Sequence, residues 1–168
     1  MDLGLVIARM VFGLLMAAHG AQKAFGWFGG YGLAATGGFF ESIGFRPGRF
    51  FAATAAGTEI SAGLLVALGL MGPLGPALIV SVMIVAAASV HWQHGLFAQN
   101  NGIEVPLLYA VAAISLALTG FGAYSVDAAL GLTSQWTPAI AWGALALGAI
   151  GGAANLALRR PATQAVHA

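Results

Sequence analysis

The sequence has no cysteine, which removes disulfide frameworks, thiolate zinc sites, iron–sulfur clusters and dithiol relays from its intrinsic chemistry. Charge is nearly as scarce. Asp, Glu, Lys and Arg make up 7% of 168 residues, and six Lys+Arg stand against five Asp+Glu for a formal net charge of +1. No basic field able to compete for a phosphate backbone can be built from that set, so nucleic acid is not an expected partner. What fills the chain is apolar: 60% of residues are hydrophobic and the mean hydropathy is +0.89, against about 45–50% apolar and 25% charged in soluble domains. This is the composition of an integral membrane protein, and any redox role must borrow its cofactor.

A bilayer core about 30 Å thick needs roughly 20 apolar helical residues to cross it. Five runs approach that length: Leu3 to Lys23, Phe50 to Met71, Leu74 to Trp92, Val105 to Phe121 and Pro138 to Leu158, the fourth being marginal. The runs are continuous rather than alternating at period two, which argues against a β-barrel. Gly72 and Pro73 separate the second from the third, Pro76 and Pro106 suit first turns, and Thr137 before Pro138 reads as an N-cap followed by a first helical residue. The expected fold is an all-α polytopic bundle. It comprises a four-helix core over residues 1–130, an appended fifth span over 131–160 and a disordered tail at 161–168. Small residues at Ala53, Gly57 and Ser61, and at Gly148 and Gly152, offer faces on which helices can approach closely.

Residues 24–49 are too long for a tight turn. With Phe39, Phe40, Ile43 and Phe45 beside Glu41, Arg46 and Arg49, they suggest a short helix lying in the headgroup plane. With five spans, Lys23, Arg46, Arg49, Arg159 and Arg160 all fall on one side of the membrane. The positive-inside tendency makes that side cytoplasmic, leaving the N-terminus outside and the C-terminus inside, as in a bacterial inner-membrane protein. Asp2 in place of a basic start, and an apolar stretch too long for an h-region, argue against a secretory signal peptide.

An ionisable group at the bilayer centre costs about 2.5–3.5 kcal/mol on insertion scales, so each one inside a span calls for an explanation. Arg9 is about 9 Å deep from the outer side and Glu59 about 14 Å deep from the inner side, heights that a long arginine can bridge. They are expected to pair, either as an ion pair locking two helices or around a carboxylate that handles protons or substrate; the remaining reading has Arg9 snorkelling to headgroups. A second group gathers at the inner ends: His19, Gln22, Lys23, His91, His94 and Glu104. His19 with Lys23 and His91 with His94 share helix faces. Three chemistries fit such a layer. Bis-imidazole haem on His19 and His91 is weakened by the lack of an arginine cluster beyond Arg46 and Arg49. A metal site lacks a Glu-x-x-His pair. A cleft for a quinone-like headgroup needs only a His or Lys donor, a carboxylate and aromatic walls such as Trp27, Phe25, Trp92 and Phe97.

Several stretches then form a joint pattern: His19-Gly20-Ala21-Gln22-Lys23-Ala24-Phe25-Gly26, Phe39-Phe40-Glu41-Ser42-Ile43-Gly44-Phe45, Gly57-Thr58-Glu59-Ile60, Gly63-Leu64-Leu65, His91, and Gly102-Ile103-Glu104-Val105-Pro106, with Tyr124-Ser125-Val126-Asp127 at the end. Together they resemble the DoxX family of small bacterial integral membrane proteins, from Arg9 to about Asp127. The fifth span is additional to the family's usual four helices. The resemblance implies association with membrane oxidoreductase systems: the DoxD-type subunit of a thiosulfate:quinone oxidoreductase, complexes handling superoxide and thiol stress, and quinone-stress resistance. On that reading Glu59, His19 and Lys23 are the candidate catalytic residues. Arg9, Gln22, His91, Glu104 and Trp27 are the candidate cofactor-binding ones, quinone is the expected cofactor, no metal is expected, and a redox partner protein supplies electrons. The alternatives are a non-catalytic membrane scaffold and a small-solute transporter.

Overall fold

A computed structural model describes residues 2–160, so the expected tail at 161–168 lies outside the described residues. Among those residues all regular structure is helical: α1 (Asp2–Phe25), α2 (Gly32–Ser42), α3 (Gly48–Leu68), α4 (Leu74–Ala86), α5 (Glu104–Thr119), the single turn α6 (Val126–Ala129) and α7 (Pro138–Ala157), with short 3₁₀ turns in the connections. α4 continues through a π-helical turn at Ala87–His91 and a 3₁₀ turn at Trp92–His94. α1, α3, extended α4 and α7 are each long and apolar enough to cross a membrane, while α5, at 16 residues, is the shorter apolar helix. The chain is a helical membrane bundle.

The punctuation works as its residue types demand. Gly69 takes the left-handed conformation (φ 66°) that ends α3, its N–H donating to Val66 O while Leu70 N–H reaches Leu65 O at 2.9 Å; these two bonds satisfy carbonyls that the helix end leaves open. The Thr137 hydroxyl accepts from Ile140 N–H at 3.4 Å, with Pro138 at the first helical position. Buried Asp127 holds the α3–α4 turn, its two oxygens accepting the N–H groups of Met71 (2.9 Å) and Gly72 (2.7 Å).

α1 and α3 run antiparallel in the closest helix contact of the bundle. A Cβ on Gly13 would stand 2.6 Å from Gly63 O, one on Gly63 2.5 Å from Gly13 O, and one on Gly20 2.6 Å from Ala56 O. Small residues therefore set the interhelical distance, as lipid-embedded helices allow. Gly152 of α7 meets α4 likewise, its Cβ position lying 2.8 Å from Ser81 O, and Gly148 packs on Ala77. The Ala53–Gly57–Ser61 face, by contrast, is exposed and nothing approaches Gly57. Four-residue spacing recurs on both sides of α3, and spacing alone does not choose between them. Ser61 can face lipid because its hydroxyl donates to Gly57 O of its own helix at 2.8 Å. Gly63→Val should therefore lower stability by about 1–3 kcal/mol through overpacking, whereas Gly57→Val should change it by less than about 0.5 kcal/mol. Thermal unfolding in detergent checks both, and equal effects would reject the assignment of faces.

The segment between α1 and α3 contains the expected helix, α2, which packs on α3 and on α1. Glu41 near its end accepts Gly48 N–H at 3.1 Å, tying α2 to the start of α3.

Candidate functional site

Glu59 faces inward from α3 with its side chain 4% exposed, and its partner is Lys23 in the last turn of α1, 28% exposed: Nζ lies 2.7 Å from Oε1 and 2.5 Å from Oε2. The expected Arg9–Glu59 pair is therefore wrong. The register fixed by Gly13 against Gly63 and Gly20 against Ala56 sets Arg9 level with the last turn of α3, about 12 Å along the axis from Glu59. Counting depth separately on each helix compressed that offset. Arg9 is buried and donates through Nη1 to Ala67 O at 2.9 Å and through Nη2 to Tyr124 O, while its Nε has no partner. A guanidinium at the carbonyl end of α3 meets both the unpaired C=O groups and the negative end of the helix dipole, which explains how it is held without a carboxylate.

At the other end of the bundle two imidazoles are oriented through Nδ1. His91 Nδ1 lies 2.8 Å from Asn101 O. A carbonyl can only accept, so Nδ1 carries the proton and Nε2 of the neutral ring is left as an acceptor. The Gln22 amide donates from Nε2 to Phe28 O at 3.1 Å, which turns its Oε1 toward His19 Nδ1 at 3.2 Å. His19 thus has the same tautomer, on an exposed face of α1, with its ring edge-on to Tyr109 at 5.8 Å. The π turn at Ala87–His91 leads directly into His91, and within it buried Ser89 donates to Val85 O at 2.5 Å. Wide turns of this kind recur at functional positions.

Three recesses meet at Lys23. A cleft of ≈ 390 Å³ among α2, α3, α4 and α7 contains Lys23, Glu59 and His91 in a wall otherwise made of Phe39, Phe40 and Phe51 with aliphatic side chains, a few hydroxyls and the Asn155 amide. Behind the ion pair, a smaller recess of ≈ 110 Å³ is bounded by His19, Lys23, Glu59, His91 and Tyr109. A third, of ≈ 400 Å³, reaches Lys23 from the side of Gln22, Tyr31 and Phe40. A larger recess of ≈ 510 Å³ lies at the opposite end, near Trp136 and Asp127. It offers no free acid or base, since both oxygens of Asp127 are taken by backbone N–H groups.

Of the residues singled out from sequence, Lys23, Glu59, His19 and His91 converge, with Gln22 orienting His19. Arg9 stands at the far end, and Trp27 is exposed, its ring tilted against Phe25 at 5.0 Å away from the cleft. Glu104 accepts Ala98 N–H at 2.8 Å and so closes the α4–α5 loop, and His94 is bonded to Val90 O at 2.9 Å. Tyr109, Thr58, Ser81 and Asn155 reach the recesses without having been foreseen. Asn155 carried a signal in the sequence, being a lone amide in an apolar span. Tyr109 carried none. Among the described residues no group of three His, Asp or Glu side chains is placed to hold a metal ion.

No curated protein and no solved structure matches the chain. A family model does, over residues 4–92, a stretch that starts in α1, ends just after His91 and includes Lys23 and Glu59; α5 to α7, with Tyr109 and Asn155, lie beyond it. The model is that of DoxX, and the chain belongs to the DoxX family.

Proposed function

We propose that this protein is the integral membrane subunit of a quinone-linked oxidoreductase or oxidative-stress complex, and that the ≈ 390 Å³ cleft beside Lys23 and Glu59 takes the headgroup. One observation carries the reading: an ion pair, a histidine with a free Nε2 and aromatic side chains share a wall of an otherwise apolar cleft. That volume falls within the range of about 300–1,000 Å³ common to small-molecule sites, and a few polar groups on apolar walls is their usual chemistry. Lys23 Nζ donates a hydrogen bond to a headgroup carbonyl oxygen, while Glu59 receives protons from the His19–Tyr109 recess and passes them on. Reduction to the hydroquinone consumes two electrons and two protons, and a partner redox protein supplies the electrons. The five cations gathered at this end favour a bacterial inner-membrane location with the cleft end and the C-terminus cytoplasmic.

Titrating purified protein with a short-chain naphthoquinone, followed by tryptophan fluorescence, tests the site. Saturable binding near one per chain is expected, weakened about 10- to 100-fold by Lys23→Met, as loss of a charge-assisted hydrogen bond predicts. Absence of saturation, or equal affinity in the variant, would overturn the reading in favour of a scaffold or a solute transporter.

A further inference from the structure

The same end of the molecule bears a second, separate concentration of charge. Arg46, Arg49, Arg159 and Arg160 are all exposed there, and among the described residues the only ion pair is Lys23–Glu59. The three carboxylates of this end are already committed: Glu59 to Lys23, Glu41 to Gly48 N–H and Glu104 to Ala98 N–H. The four arginines come from two stretches far apart in sequence that the fold brings together. Arg160 N–H donates to Gly44 O at 2.8 Å and Arg159 Nε to Ile43 O at 2.5 Å, which docks the end of α7 on the turn that carries Arg46. Gly44, at φ 97°, is what admits this contact, since a Cβ there would stand 3.1 Å from Arg159 Cγ and closer still to Arg160 O. Arg49 follows in the first turn of α3, its stem lying over Gly37. Beside the arginines, Phe50 and Leu158 present exposed apolar side chains.

We infer that this arginine patch is a binding site for the headgroup of an anionic phospholipid, with the phosphate held by Arg46 and the free guanidinium nitrogens of Arg159 and Arg160, and the acyl chains running along Phe50 and Leu158. Guanidinium groups match phosphate oxygens in paired hydrogen bonds. Basic residues at a membrane surface also attract anionic lipid electrostatically. An acidic protein segment would satisfy the charge but has no use for the flanking apolar side chains. Because Ile43 lines the quinone cleft and its carbonyl receives Arg159, a lipid seated here would also hold the cleft wall in place. The site itself does not depend on what the cleft binds.

The test is the unfolding temperature of the full chain in an uncharged detergent, titrated with phosphatidylglycerol, phosphatidylcholine, inorganic phosphate or polyglutamate. A saturable rise with phosphatidylglycerol alone is expected, its half-saturating concentration raised about 10-fold or more in Arg46→Gln/Arg159→Gln. The Arg46→Lys/Arg159→Lys variant should fall between the two, because it keeps charge and loses the planar fork. In wild type the response should shrink as salt rises from about 0.05 to about 0.5 M. Equal responses to both lipids, a salt-independent shift, or the same shift from phosphate or polyglutamate would each overturn the proposal. The salt series on wild type decides the matter if the glutamine variant does not fold.

Discussion

Lys23→Met is expected to destabilise the protein by about 3–5 kcal/mol, because it leaves the Glu59 carboxylate, 4% exposed, without its cation. The opposite deletion should be milder. In Glu59→Leu the orphaned ammonium belongs to a side chain already 28% exposed at the end of α1, and a lysine so placed can swing its nitrogen to water at small cost. The double variant Lys23→Met/Glu59→Leu removes both charges and fills the space with apolar atoms, a replacement that is often neutral for buried pairs. It should regain most of the stability lost in Lys23→Met while headgroup binding stays lost. That contrast separates what the pair contributes to folding from what it contributes to the site. Denaturant-induced unfolding in mixed micelles measures it. A double variant no more stable than Lys23→Met would show that the two side chains act through other partners.

How the sequence was legible follows from which forces act on one helix at a time. Apolar length is a property of a single segment, so all five runs appear as helices, four of them long enough to cross a membrane and α5 shorter. Caps are equally local, and Thr137–Pro138 and Gly72–Pro73 fall where they were expected. Pairing across helices depends on register, which here is set by Gly13, Gly20 and Gly63 meeting backbone atoms of the opposing helix. Nothing in the spacing of small residues favours that face of α3 over the one carrying Gly57. Once that register is known, Lys23 rather than Arg9 is the cation that reaches Glu59. The π turn at Ala87–His91 was invisible because Ala-Ala-Ser-Val-His contains no glycine or proline to mark it. The gathering of His19, Lys23, Glu59 and His91 was legible from topology, because the same end of α1, α3 and α4 is a matter of counting spans.

Arg9→Met is the second large effect, expected at about 2–4 kcal/mol. It strips the buried Ala67 O and the part-buried Tyr124 O of their donor, at about 1–3 kcal/mol for the buried carbonyl and less for the other, partly offset by no longer burying a guanidinium whose Nε has no partner. Arg9→Lys should recover only part of this, since one ammonium does not reproduce the fork that serves both carbonyls. The decisive measurement is a pair of double-mutant cycles. Arg9→Met combined with Glu59→Gln should be additive within about 0.5 kcal/mol, as expected for sites about 12 Å apart along the helix that share no partner. Lys23→Met combined with Glu59→Gln should show coupling well above about 1 kcal/mol. Reversal of the two couplings would mean that α1 has slid on α3 by about two turns, and Gly13 and Gly20 could then no longer face the small residues that let the helices touch.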